Sequence, residues 1–138
     1  MVTITLRGRE IPLLYTCYEI KTIQEEIGPI EKAVVLLAGR NPDDDKDISR
    51  IGSAEHLNTV AKFVKILGNA WLDENGKNQD LTEKWILRGM KQEDLFPVIN
   101  ECMNAMAKGN ESEIPENEDD GPVDVVLEEM KKKKDPES

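Results

Sequence analysis

Residues 53–71, SAEHLNTVAKFVKILGNAW, decide the fold. Leu57, Val60, Ala61, Val64, Leu67, Gly68 and Trp71 recur at helical spacing, so one face of a long helix is apolar along its whole length. Ser53 stands where an N-cap hydroxyl belongs. A stripe of that length has to be covered, which makes this the central helix and the rest of the chain its packing. Trp71 and Trp85 are expected as core anchors.

Working back from it, residues 40–52 form a polar loop with a turn at Asn41-Pro42-Asp43. Before the loop, Ile30, Ala33, Val34 and Leu37 mark a helix that starts near Pro29 and ends at Gly39, its apolar arc widened by Val35 and Leu36. Thr16 and Glu19 have capping-box spacing, and Ile20, Ile23 and Ile27 line one face of a helix that Gly28-Pro29 stops. The first residues alternate, with Val2, Ile4 and Leu6 against Thr3 and Thr5, the pattern of a half-buried strand. Arg7-Gly8-Arg9-Glu10 reads as the turn and residues 11–15 as the returning strand, with Pro12 allowed only at an edge or an end.

Working forward, Asp73 to Gln79 is a loop around Asn75-Gly76. Asp80 and Glu83 have the spacing of a second capping box, opening a short helix with Leu81, Trp85 and Ile86 that ends near Gly89. The last helix runs from about Glu93 to Lys108, with Leu95, Val98, Ile99, Cys102, Met103 and Met106 inward. Pro97 fits it if Asp94 is the N-cap, because first-turn amides have no helical partner. The expected fold is mainly α, a small N-terminal β-hairpin followed by about five helices.

The chain has 138 residues and a formal charge of −10, and the charge is unevenly placed. Residues 110–138 carry 11 acids against four bases, leaving −3 for residues 1–109. This is a domain boundary: a helical domain over 1–109 with the hairpin at its start, then an acidic, mostly disordered tail over 110–138. The tail holds too little apolar surface to offset chain entropy. Within it, Pro122 can open a short helix over 122–133 whose acids precede its bases. The acidity argues against nucleic-acid binding, which needs cations on phosphate, and against docking on anionic membrane. No apolar stretch approaches a membrane span, and two cysteines without CxxC spacing point to a reduced, intracellular protein.

Candidate chemistry is sparse. His56 is expected to be an exposed, idle side chain near the start of the central helix. Cys17 and Cys102 read as packing residues. Asp43, Asp44, Asp45 and Asp47 form one acidic loop, and Asp73, Asn75, Gly76 and Asp80 hint at a calcium loop. Lys77 and Asn78 fall where that motif needs an oxygen ligand and a glycine, so solvated loops are the expectation. No phosphate loop, nucleophile elbow or dinucleotide fingerprint occurs. The sequence points to a non-enzymatic protein without cofactor or metal.

The order of these stretches is informative: Ile4 to Leu13 in the hairpin, then Tyr18-Glu19-Ile20 with Ile23 to Gly28 in the first helix. Leu81 to Ile86, Asp94 to Ile99, Ala105 to Gly109 and a polar tail follow. Over residues 2–109 the chain resembles the tail assembly chaperones of long-tailed bacteriophages and their prophage relatives. The resemblance implies a small helical protein that binds the long tape measure protein and keeps it soluble while tail tube subunits polymerise around it. It implies action in the cytoplasm of the bacterial host and absence from the mature virion.

The family resemblance also implies a longer form made by ribosomal frameshifting, whose extension recruits the tail tube protein. Lys131–Lys134, encoded by adenine-rich codons, permits a slippery site near the end of the chain. A solvated lysine patch explains the same run equally well. Val34, Leu37, Leu95, Ile99, Met103 and Met106 are the expected client-binding residues, in the manner of a helix lying in an apolar groove. Self-association is also open. Two other readings stay beside this one. An acidic DNA mimic needs ordered carboxylates, which a folded part of charge −3 supplies poorly. A helical adaptor that regulates a partner fits the composition as well.

Overall fold

The computed structural model describes residues 1–44 and 46–111. The expectations placed on 112–138, namely the tail, its short helix and the lysine run, lie outside the described residues. The fold is mainly helical: a two-stranded antiparallel hairpin, β1 (Thr3–Leu6) and β2 (Arg9–Pro12), precedes five α-helices. Arg7 and Gly8 both have positive φ, 55° and 78°. A turn of that conformation reverses the chain within two residues and matches the strand twist. Leu6 therefore pairs with Arg9 and Thr5 with Glu10. This corrects the expected four-residue turn and moves the second strand from 11–15 to 9–12.

The register also sets which backbone groups face outward. Leu13 N–H donates to Val2 O at 2.9 Å. Successive antiparallel pairs alternate between bonded and non-bonded. Ile4/Ile11 and Leu6/Arg9 thus exchange bonds, whereas Thr3 and Thr5 turn theirs away from β2. Pro12, opposite Thr3, needs no donor there.

Helix α1 (Cys17–Glu26) begins with the expected capping box: Thr16 N–H donates to the Glu19 carboxylate at 2.8 Å, and Tyr18 N–H to the Thr16 hydroxyl. It ends where Ile27 and Gly28 N–H both donate to Ile23 O, at 2.7 and 3.1 Å. Helix α2 (Ile30–Leu37) buries Ala33 and Leu37, while Val34, Val35 and Leu36 are half-buried.

Helix α3 (Ala54–Glu74) is capped by Ser53, whose hydroxyl accepts from His56 N–H at 3.1 Å. Val60, Ala61, Val64, Leu67 and Gly68 are buried as the stripe requires, and Phe63 and Ile66 join them. Gly68 permits close packing: a Cβ there would lie 2.5 Å from Leu81 and 2.9 Å from Ile11. Leu14 N–H donates to Leu67 O at 3.0 Å, tying the exit of the hairpin to α3.

Helix α4 (Glu83–Gly89) departs from expectation at its start. Its cap is Thr82, which accepts from Trp85 N–H at 3.1 Å. Asp80 instead forms a two-pronged ion pair with Arg9, the shorter contact 2.9 Å. Glu83 turns to Lys65 at 3.0 Å and Lys62 at 3.4 Å on α3. A single 3-10 turn (Gln92–Asp94) then leads into α5 (Leu95–Glu111), with Lys91 N–H donating to Asp94 at 2.8 Å. Pro97 sits in the first turn of α5, where it breaks no helical bond.

The core draws on every element: Ile4, Leu6 and Ile11 from the hairpin, Ile23 from α1, Leu37 from α2, Phe63 and Leu67 from α3, Ile86 from α4, and Val98 and Cys102 from α5. Among the described residues no helix is long and apolar enough to cross a membrane.

Candidate functional site

The client-binding residues expected from sequence do not form one open face. Leu37, Leu95, Ile99 and Met106 are buried in the core, and only Val34 and Met103 are half-exposed at its margin. The correction has a physical cause. Leu37 on α2 and Leu95, Ile99 and Met106 on α5 pack into a core to which every element contributes, so neighbouring elements cover the residues that seemed in excess.

An apolar concavity lies where three elements meet. Gly52 and Leu57 at the start of α3, Leu87 and Met90 at the end of α4, and Lys91, Gln92 and Leu95 before and within α5 line a cavity of about 210 Å³. It is below the usual range for a small-molecule pocket and suits one or two side chains of a partner. Leu95 is the one expected binding residue that reaches it. Leu57, Leu87 and Met90 were not singled out for binding, because their half-burial depends on how α3, α4 and α5 converge.

His56 corrects a second expectation. It is fully buried, not exposed. Its Nδ1 receives Gly52 N–H at 2.9 Å, and its Nε2 lies 2.8 Å from Leu37 O. An amide can only donate, so Nδ1 accepts and the ring proton sits on Nε2, donating to Leu37 O. Gly39 lies against the ring: with φ of 84°, a Cβ there would stand 2.7 Å from His56 Cε1. His56 thus clasps the end of α2 to the start of α3, with both ring nitrogens engaged by backbone groups and, among the described residues, no carboxylate orienting it for base catalysis.

The cysteines divide. Cys102 is fully buried, and burial, helped by the charge of Glu101, pushes its thiol up to about 12. A thiol in that state is a packing group, as expected. Cys17 is exposed at the first position of α1, which corrects the packing expectation for it.

The acidic groups have structural partners. The Arg9 hydrogen bonds hold Asp80 below its ordinary value. Burial pushes Glu83 up, but the bonds and charges of Lys65 and Lys62 outweigh that and leave it lowered. Hydrogen bonding from Ser49 and Asn41 lowers Asp47, and Asp73 accepts from the Gln79 amide at 3.3 Å. Among the described residues no three His, Cys, Asp or Glu side chains are grouped to hold a metal.

Trp71 and Trp85 are half-buried against the core. Trp85 carries Arg7 and Arg9 over its ring, at 5.3 and 5.5 Å from the centroid. Arg9 therefore bridges the ring and Asp80, fastening the hairpin to α4. No protein-family model, curated protein or solved structure matches the chain.

Proposed function

We propose that this protein is a non-enzymatic tail assembly chaperone that binds and solubilises a tape measure protein while a phage tail tube assembles. The observation that carries the reading is the order of elements. A hairpin comes first, then a helix with a capping box, a short helix, a long central helix, a short capped helix and a last helix with a proline in its first turn. The stretches that resemble the family fall on these elements in turn.

Support also comes from the apolar cavity bounded by Leu57, Leu87, Met90 and Leu95. A helical client can seat a side chain there, and methionine lets such a surface adapt to varied side chains. The charge of −10 favours solubility of a complex by mutual repulsion. On this reading the protein works in the bacterial cytoplasm and is left out of the virion. A frameshifted extension following Lys131–Lys134 would supply contact with the tail tube protein.

The test is co-expression with the long tape measure protein of the same genome. The reading expects a soluble complex that co-purifies where the tape measure protein alone is insoluble. Failure with both the chain and its frameshifted extension would overturn it.

A further inference from the structure

The two-stranded sheet leaves one edge of β1 open. Thr3 and Thr5 direct their N–H and C=O groups away from β2, and these groups meet no backbone partner among the described residues. Beyond the edge lies a trough of about 230 Å³, with Thr3 and Thr5 on one side and Asp94, Pro97, Val98 and Glu101 of the α5 region on the other. Open strand edges are usually blunted by charge, proline or a bulge. The Thr-Ile-Thr-Leu sequence of β1 has none of these.

The charge of the trough selects what can fill it. Asp94 and Glu101 are half-buried, and neither has a cationic partner among the described residues. Asp94 accepts Lys91 N–H, and Glu101 accepts the Asn104 amide at 3.4 Å. A second copy of the chain could pair antiparallel about Ile4, setting Thr3 opposite Thr5 and satisfying the backbone. That symmetry would also bring Asp94 and Glu101 of both copies to one seam, four carboxylates with no cation. Charge therefore rejects self-pairing and favours a strand that carries cations.

We propose that the trough between β1 and α5 takes an extended basic segment of a partner protein. The segment adds to β1 as a third strand through Thr3 and Thr5 and turns lysine or arginine toward Asp94 and Glu101. Those carboxylates are seven residues apart, about 10 Å along a helix. Long cationic side chains two or four residues apart on one strand face can reach both.

The test uses the full chain, isotope-labelled for NMR, and two ten-residue peptides, one alternating valine with lysine and one alternating valine with glutamate. The expected result is saturable shifts at Thr3, Thr5 and the first turns of α5 with the lysine peptide only, with slowed amide exchange at Thr3 and Thr5. Glu101→Gln should weaken binding by about fivefold, the scale of one partly screened charge pair. Thr5→Pro should abolish it, since proline there removes an outward N–H and leaves the β1–β2 bonds intact. Should Thr5→Pro not fold, Glu101→Lys carries the same test and should also abolish binding. No saturable shift, equal binding of both peptides, or an unchanged affinity in Glu101→Gln would overturn the proposal. So would concentration-dependent protection of Thr3 and Thr5 in the free chain, which would assign the edge to a second copy.

Discussion

His56 shows how one side chain can matter to a fold without doing chemistry. It lies in the first turn of α3, and its ring answers two backbone groups, Gly52 N–H and Leu37 O. Buried polar groups left without partners are costly, and the vacated ring would leave a cavity. His56→Ala is expected to lower stability by about 3 kcal/mol, read from urea denaturation. A loss under about 0.5 kcal/mol would show that the ring is not a buried clasp. Part of this was legible. His56 precedes Val60, Phe63 and Leu67 at intervals of four, three and four residues, which places it on the buried stripe. Its acceptor was not legible, because Leu37 O belongs to another helix 19 residues upstream.

Among the elements, three local signals were read correctly. The Thr16–Glu19 box, the Gly28-Pro29 stop and the Ser53 cap need only neighbouring residues to act, so sequence spacing reports them. Helix α4 shows the limit. Asp80 and Glu83 have box spacing, but both carboxylates answer cations distant in sequence: Arg9 on β2, and Lys62 and Lys65 on α3. Thr82, two residues later, takes the cap. Thr82→Ala should therefore cost about 1 kcal/mol by chemical denaturation. Asp80→Ala should leave the start of α4 intact in NMR chemical shifts and loosen the hairpin instead. The hairpin turn was misjudged for a similar reason: arginine at positive φ carries no obvious turn signature, whereas Asn-Gly would have. Leu37, Leu95, Ile99 and Met106, expected to be open to a client, are buried, because apolar arcs in sequence do not reveal which of them neighbouring helices cover.

For the molecule as a whole, ion pairs join elements that the sequence keeps apart, and this gives stability a pH dependence. Asp80 and Glu83 sit below their ordinary values in the folded chain because of Arg9 and of Lys65 with Lys62. Lowered carboxyls contribute stability above their unfolded pKa of about 4, and that contribution is lost as pH falls through the folded values. Tm should stay level from neutral pH to about 5 and decline below it. In Asp80→Asn combined with Glu83→Gln, the decline should be shallower in calorimetry. An equal decline would mean that these two pairs do not link folding to protons.

If the chain acts as the proposed chaperone, it keeps a tape measure protein from aggregating, which light scattering can follow. The denatured tape measure protein is diluted into buffer with and without the purified full chain. Scattering is then expected to fall in proportion to added chain, and a soluble complex to elute from size exclusion. Scattering that rises equally with and without the chain, no complex, and the same failure with its frameshifted extension, would contradict the chaperone reading.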